Sequence, residues 1–70
     1  MVNITINGKK EELDKSISLS ELLRRKNIRP EVVTVELNDS IVEKKDYADM
    51  AVKEGDRLEF VYFMGGGKNV

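Results

Sequence analysis

Three consecutive glycines, Gly65, Gly66 and Gly67, form the pattern that points most directly to chemistry in this chain of 70 residues. Glycine has no Cβ, so a glycine run can thread a narrow channel and bring its main chain close to a reacting group. Three extended residues reach roughly 10 Å beyond a folded body. The pattern therefore indicates chemistry at the main chain, although the run alone is equally typical of a flexible linker before an appended tail.

The composition excludes most side-chain chemistry. The chain has no cysteine and no histidine, which removes thiolate zinc sites, iron–sulfur clusters, cysteine nucleophiles and the usual general base near neutral pH. A domain this small buries only about 60% of the surface of its unfolded chain, so it has little core from which to build an enclosed cleft. We therefore predict a protein that is not an enzyme and that binds no metal ion and no cofactor of its own.

The charge and hydropathy patterns argue against two classes of partner. Lys and Arg number 12 and Asp and Glu number 13, giving a net charge of −1, so no large basic field is available to hold nucleic acid. No apolar run approaches the roughly 20 residues that cross a bilayer, and the first residues lack the pattern of a signal peptide. The sequence predicts a cytoplasmic protein that binds neither nucleic acid nor a membrane.

The elements that must position the glycines begin with a hairpin. Apolar and polar residues alternate over 2–6 as in a half-buried strand, and Asn7 followed by Gly8 is typical of a two-residue type I′ turn. Such a turn would pair Ile6 with Lys9, Ile4 with Glu11 and Val2 with Leu13. The second strand, 9–13, is highly charged, which predicts an edge of the sheet.

A short helix follows the hairpin. Ser18, with Glu21 three residues later, forms a capping box and predicts the start of the helix. Pro30 prevents continuation because it has no N–H. The apolar residues share one helical face, and the basic residues complement the helix dipole in the last turn. The apolar residues are Leu19, Leu22 and Leu23, and the basic residues are Arg24, Arg25 and Lys26.

The remaining strands complete one domain. Residues 32–37 and 57–64 read as strands, residues 40–42 as a short further strand, and residues 44–50 as a loop or a single helical turn. In the last strand Leu58, Phe60 and Tyr62 face one way, and Val61 and Phe63 face the other. If that strand returns beside the first, the fold is α+β: a single β-grasp (ubiquitin-like) domain whose mixed four- to five-stranded sheet packs on one main helix. The domain would span residues 1–64, followed by a flexible glycine-rich tail at 65–70.

The chain resembles the ThiS family of sulfur carriers, which serve the synthesis of the thiazole ring of thiamine. The resemblance lies in residues 4–9, 19–23 and 33–38, and in the final stretch 41–67, where the Glu54-Gly55-Asp56 turn precedes an apolar strand that runs into the glycines. It implies that an E1-like enzyme, ThiF, adenylates the terminal glycine carboxylate with ATP and magnesium that the enzyme supplies. Sulfur from a cysteine desulfurase relay then gives a thiocarboxylate, from which thiazole synthase, ThiG, takes the sulfur.

The resemblance also implies roles for the glycines. Gly67, or alternatively Gly66, would be the acceptor of adenylate and sulfur, while Gly65 and Gly66 would thread the partner's channel. In the family the carboxylate usually belongs to the last glycine, whereas Lys68, Asn69 and Val70 follow here. We expect a processing peptidase to remove these three residues from a precursor form; a tail left by cloning is the alternative.

Several alternatives stay open at the level of the sequence. Val61, Phe63 and Met64 are either strand residues packed on the core or a docking patch for ThiF or ThiG. The acidic residues Glu54, Asp56 and Glu59 are solvated charges or a rim that steers a basic partner. A molybdopterin carrier of the MoaD type, a carrier for amino-acid synthesis and a ubiquitin-like protein modifier or interaction module share the fold and the tail.

Overall fold

The computed structural model of the chain describes residues 1–62. Phe63, Met64 and Gly65–Gly67, together with the predicted domain boundary after residue 64, lie outside the described residues. The strands are β1 (Val2–Ile6), β2 (Lys9–Leu13), β3 (Val33–Leu37), β4 (Ser40–Val42) and β5 (Arg57–Tyr62), and the helix is α1 (Leu19–Arg25). Two short 3₁₀ helices span Pro30–Val32 and Lys44–Asp46.

The five strands form one mixed sheet in the order β2-β1-β5-β3-β4. β1 and β5 are parallel, and the other neighbours are antiparallel. The charged strand β2 lies at an edge, and β5 returns beside β1, as predicted. The hairpin has the predicted register, with Val2 opposite Leu13, Ile4 opposite Glu11 and Ile6 opposite Lys9. The β-grasp prediction is therefore confirmed, with five strands and one α-helix.

The helix begins at the predicted residue but only half of the capping box forms. The side chain of Ser18 accepts a hydrogen bond from the main-chain N–H of Glu21 at 3.1 Å. The carboxylate of Glu21 turns instead toward the end of the helix, where Arg24 and Arg25 donate to it. A two-turn helix brings these arginines within one turn of Glu21, and a charge-assisted hydrogen bond is stronger than one to a neutral main-chain N–H.

The strand predicted over 32–37 begins one residue later, because Val32 closes the 3₁₀ helix that Pro30 starts. Pro30 fixes its own φ near the helical value, so the chain makes one tight turn before it extends. The strand predicted over 57–64 is observed from Arg57 to Tyr62, and its last two predicted residues lie outside the described part.

The core lies between α1 and one face of the sheet. Leu19, Leu22 and Leu23 of the helix are at most 1% exposed. From the sheet, the alternate residues Ile4, Ile6, Val33, Val35, Leu58 and Phe60 are buried against them. The other face carries the intervening residues, and we call it the open face: Asn3, Thr5, Thr34, Glu36, Ile41, Arg57, Glu59 and Val61.

Candidate functional site

The candidate site is the carboxyl end of β5, because this strand leads toward the glycine run. On one side β5 pairs with β3 as far as Val33 opposite Tyr62. On the other side its register with β1 ends earlier, at Ile6 opposite Leu58. The strand therefore runs about four residues past the end of β1, supported there by β3.

A side chain extends the support on the β1 side. Asn7 donates its main-chain N–H to the carbonyl oxygen of Leu58 at 2.9 Å. Its side-chain Oδ1 accepts from the N–H of Phe60 at 2.8 Å, and its Nδ2 donates to the carbonyl oxygen of Phe60 at 3.4 Å. Asn7 and Gly8 have φ values of 52° and 84°, the conformation of the predicted type I′ turn.

The opposite end of β5 is held by a second asparagine. Asn38 has a φ of 51° in the turn between β3 and β4. Its N–H donates to the carbonyl oxygen of Arg57 at 2.7 Å, and its Oδ1 accepts from the N–H of Arg57 at 2.9 Å. The Nδ2 of Asn38 donates to Asp56 at 3.0 Å. Each end of β5 is thus fixed by one amide side chain from a turn.

Exposed side chains with large apolar parts lie at the last two described residues of this strand. Val61 is 50% exposed on the open face, as its predicted direction requires, and Tyr62 is 46% exposed. Tyr62 lies opposite the buried Val33 and so points to the face of Leu58 and Phe60, as predicted, but it is not buried at this end of the strand. The predicted docking residue Val61 is therefore free of the core, whereas Phe63 and Met64 lie outside the described residues.

One exposed residue of the open face was missed in the sequence. Ile41 is 67% exposed, and it lies opposite Glu36 in the pairing of β4 with β3. Its neighbour Val42 is 7% exposed and belongs to the core. Strand alternation could have predicted that Ile41 is exposed, since Ile41 and Val42 must point to opposite faces of a strand.

The acidic residues divide into two groups. Glu54 accepts from the N–H of Asn3 at 2.8 Å, and Asp56 accepts from the N–H of Lys53 at 2.8 Å, so both hold the turn before β5. Glu59 instead lies on the open face, directly opposite Glu36. Two carboxylates in directly opposed positions repel each other, so this part of the open face would favour a cationic neighbour.

The basic residues of the helix are engaged within the domain. Arg24 and Arg25 bind Glu21, and the Nζ of Lys26 lies 2.8 Å from a carboxylate oxygen of Glu11 on β2. These contacts make them surface ion pairs. Hydrogen bonds from Arg24 and Arg25 lower the pKa of Glu21 below its usual 4.5. A hydrogen bond from Arg57 likewise lowers the pKa of Asp39, whose usual value is 3.8.

Within residues 1–62, no group of three or more acidic side chains is arranged to hold a metal ion. The described helices are also too short to span a bilayer. Neither finding bears on what a partner enzyme would supply.

Known proteins resemble this chain over almost its whole length. The sequence model of the ThiS family matches residues 3–67. The chain is 31% identical over 65 residues to the sulfur carrier protein ThiS of Bacillus subtilis, covering 91% of this chain and 98% of that one. It is 38% identical over 68 residues to a thiazole synthase of Paramagnetospirillum magneticum, covering 97% of this chain but only 21% of that protein. The crystal structure of thiamine biosynthesis protein ThiS from Geobacter metallireducens has a TM-score of 0.82 at 43% identity, covering 94% of this chain and 100% of that one.

Proposed function

The chain belongs to the ThiS family, and from this premise we propose that it is a sulfur carrier for thiamine biosynthesis that works through the main chain of Gly67. The observation that carries the proposal is the extent of the family match, which runs through the whole domain and includes all three glycines. The match to a sulfur carrier over 98% of that protein's length supports the same role. The carrier is a protein co-substrate, because its partners perform the chemistry.

The proposed chemistry takes place at the terminal carboxylate. After removal of Lys68, Asn69 and Val70, an oxygen of the Gly67 carboxylate attacks the α-phosphorus of ATP at a ThiF-like enzyme, and pyrophosphate leaves. The outer sulfur of a persulfide on a cysteine desulfurase relay attacks the carbonyl carbon, and AMP leaves with the electrons of the C–O bond. A thiol then attacks the relay-side sulfur of the acyl disulfide, forms a disulfide with it and releases the acyl-bound sulfur. The product is a thiocarboxylate. Gly65 and Gly66 provide the narrow, side-chain-free segment that reaches the nucleotide.

Thiazole synthase is the proposed acceptor of the sulfur. A thiazole synthase contains a segment similar to this chain that makes up 21% of its length. A carrier-like segment within a thiazole synthase supports a working relationship between the two kinds of domain. In this proposal ThiG takes the sulfur from the thiocarboxylate of the carrier.

The proposal is tested by the intact mass of the protein after incubation with a ThiF-type enzyme, ATP and a sulfur source. The chain that ends at Gly67 should exchange one oxygen for one sulfur. The chain that ends at Gly65 should not load, although its thermal unfolding should match that of the full chain, because both retain residues 1–62. Loading of the two truncated chains to the same extent would contradict the mechanism.

The full chain tests the processing step in the same assay. It should load only after a peptidase has removed the last three residues, because a β-branched valine does not suit a channel for glycines. Equal adenylation of the full chain and the chain ending at Gly67 would show that processing is not needed. A lysine-linked adduct on another protein, in place of the thiocarboxylate, would favour a ubiquitin-like modifier.

A further inference from the structure

We propose that Asn7 is a positioning residue for adenylation, whose side-chain amide holds the strand from which the glycine run emerges. The inference rests on the proposed function and adds a residue outside the tail to it. It is drawn from the hydrogen bonds that join Asn7 to Phe60 across 53 positions of sequence.

The side chain of Asn7 replaces main chain that has turned away. In a parallel pair, each residue bonds to the two residues that flank its partner on the neighbouring strand. Asn7 makes the first of these bonds with its own N–H, to the carbonyl oxygen of Leu58 at 2.9 Å. The second would need the carbonyl oxygen of Asn7 to accept from Phe60. Here Oδ1 accepts that N–H at 2.8 Å instead.

The turn at Asn7 and Gly8 explains why a side chain, and not the main chain, accepts the hydrogen bond from Phe60. With positive φ values at Asn7 and Gly8, the main chain reverses into β2 and leaves the side of β5. The side-chain amide carries both an N–H donor and a C=O acceptor, as the main chain does, so it can extend the ladder by one step. Its Nδ2 completes that step by donating to the carbonyl oxygen of Phe60.

The hydrogen bonds of the Asn7 amide lie near the end of β5 that leads to the tail. Among the described residues, the two amide bonds of Asn7 are the hydrogen bonds between the β1–β2 hairpin and β5 that lie nearest to the glycines. Beyond Phe60 the strand is paired with β3 through Val61 and Tyr62. Loss of the amide would leave the end of β5 held on one side only. The glycine run would then start from a less fixed position when the docked carrier presents its terminus to ATP.

Asn38 provides a matched control at the other end of the strand. It has the same residue type and a φ within one degree of that of Asn7, and its Oδ1 likewise accepts from a β5 N–H. That N–H belongs to Arg57, however, and the Nδ2 of Asn38 donates to Asp56. Glycine accepts a positive φ, so Asn7→Gly and Asn38→Gly each keep the turn and remove the amide. A general effect on the fold should appear in both variants, and an effect on the tail only in Asn7→Gly.

The experiment measures steady-state adenylation by a ThiF-type enzyme, as pyrophosphate exchange, for wild-type and variant chains that end at Gly67. In Asn7→Gly we expect kcat to fall about tenfold, which corresponds to roughly 1.4 kcal/mol. The KM should change less than about twofold, because the exposed docking residues are retained. In Asn38→Gly both constants should stay within about twofold of wild type. Equal losses in the two variants, or no loss in Asn7→Gly, would overturn the inference.

Amide hydrogen exchange at Phe60 provides a readout that does not depend on the partner enzyme. Its N–H should exchange faster in Asn7→Gly, while the amides of Leu22 and Leu23 keep the wild-type rate. Asn7→Asp keeps the acceptor but places an ionised oxygen against the carbonyl of Phe60, and it should lose kcat like Asn7→Gly. An unchanged exchange rate of the Phe60 amide in Asn7→Gly would contradict the proposed role of the Asn7 side chain. A wild-type chain ending at Gly67 that is not adenylated would instead refute the proposed function, and the inference with it.

Discussion

The carboxylate of Glu21 stabilises its helix through ion pairs with arginines and not through the capping bond that its position predicts. It occupies the third position of a capping box, yet its oxygens accept from Arg24 at 2.6 Å and from Arg25 at 3.1 Å. These cationic donors stabilise the ionised carboxylate and so lower its pKa. The residue thereby links the first turn of α1 to the last.

The pH dependence of stability follows from that shift. Because the folded pKa of Glu21 lies below its unfolded value of about 4.5, its ion pairs stabilise the fold above pH 4.5 and are lost as the pH falls through the folded pKa. Glu21→Gln should therefore be less stable than wild type at neutral pH and equally stable in strong acid. Urea unfolding at several pH values measures this, and concentrated salt should reduce the difference at neutral pH. A difference that is the same at every pH would contradict the account.

At the scale of elements, α1 depends on its contacts more than on its own propensity. It has seven residues, well below the length at which an isolated helix is stable in water. Leu19, Leu22 and Leu23 are buried against the sheet. Two main-chain bonds tie the start of the helix to the segment before β5, from Leu19 to Met50 and from Ser20 to Tyr47. The helix therefore forms together with the sheet.

Leu22→Ala tests this dependence. Truncation of a leucine that is 1% exposed should lower the free energy of unfolding by about 2–5 kcal/mol. A loss of this size is comparable with the whole stability of a small domain, so a large unfolded fraction is expected. The control Ile41→Ala removes a side chain that is 67% exposed and should stay within about 0.5 kcal/mol of wild type. Similar midpoints in urea for the two variants would contradict the assigned core.

At the scale of the whole molecule, the sheet has one covered and one uncovered face. The open face carries Ile41 and Val61 as exposed apolar side chains, with the opposed carboxylates Glu36 and Glu59 beside them. We propose that the adenylating enzyme docks here through an apolar surface with basic groups at its border. The end of β5 would then enter the complex together with the docked face.

Val61→Asp and Ile41→Asp test the docking surface. Each should raise the KM for adenylation by about tenfold, since burial of an unpaired carboxylate opposes association. Ala48→Asp is the matched control, because Ala48 is exposed in the segment that Tyr47 ties to the helix, away from the open face. Its KM should equal that of wild type. An unchanged KM in both open-face variants would exclude this face as the docking surface.

Local patterns were sufficient for most of the fold. The hairpin register follows from a two-residue turn, and the edge position of β2 follows from its charge. The N-cap at Ser18 was also predictable, since its hydrogen bond spans three residues. The 3₁₀ turn at Val32 and the ion pairs of Glu21 were not, because in each case two local structures compete for the same residue.

The candidate site was predictable only in part. Strand alternation placed Val61 on the face opposite Leu58 and Phe60 but left both a core and an exposed position open for it, and the role of the glycines stays a prediction. Asn7 was assigned to its turn, but nothing in the sequence connects it to Phe60. A contact between residues so far apart depends on the order of strands, which periodicity does not fix.

The sequence by itself determined which segments become strands and helix, where the hairpin turn falls and which helix residues face the core. These are properties of neighbours, set by turn chemistry and by periods of two and about 3.6 residues. The tertiary structure decided that β5 lies between β1 and β3, that Ile41 and Val61 share an uncovered face, and that an asparagine amide supports the strand before the glycines. Their common physical reason is that each needs two distant segments to be packed side by side before the interaction can exist.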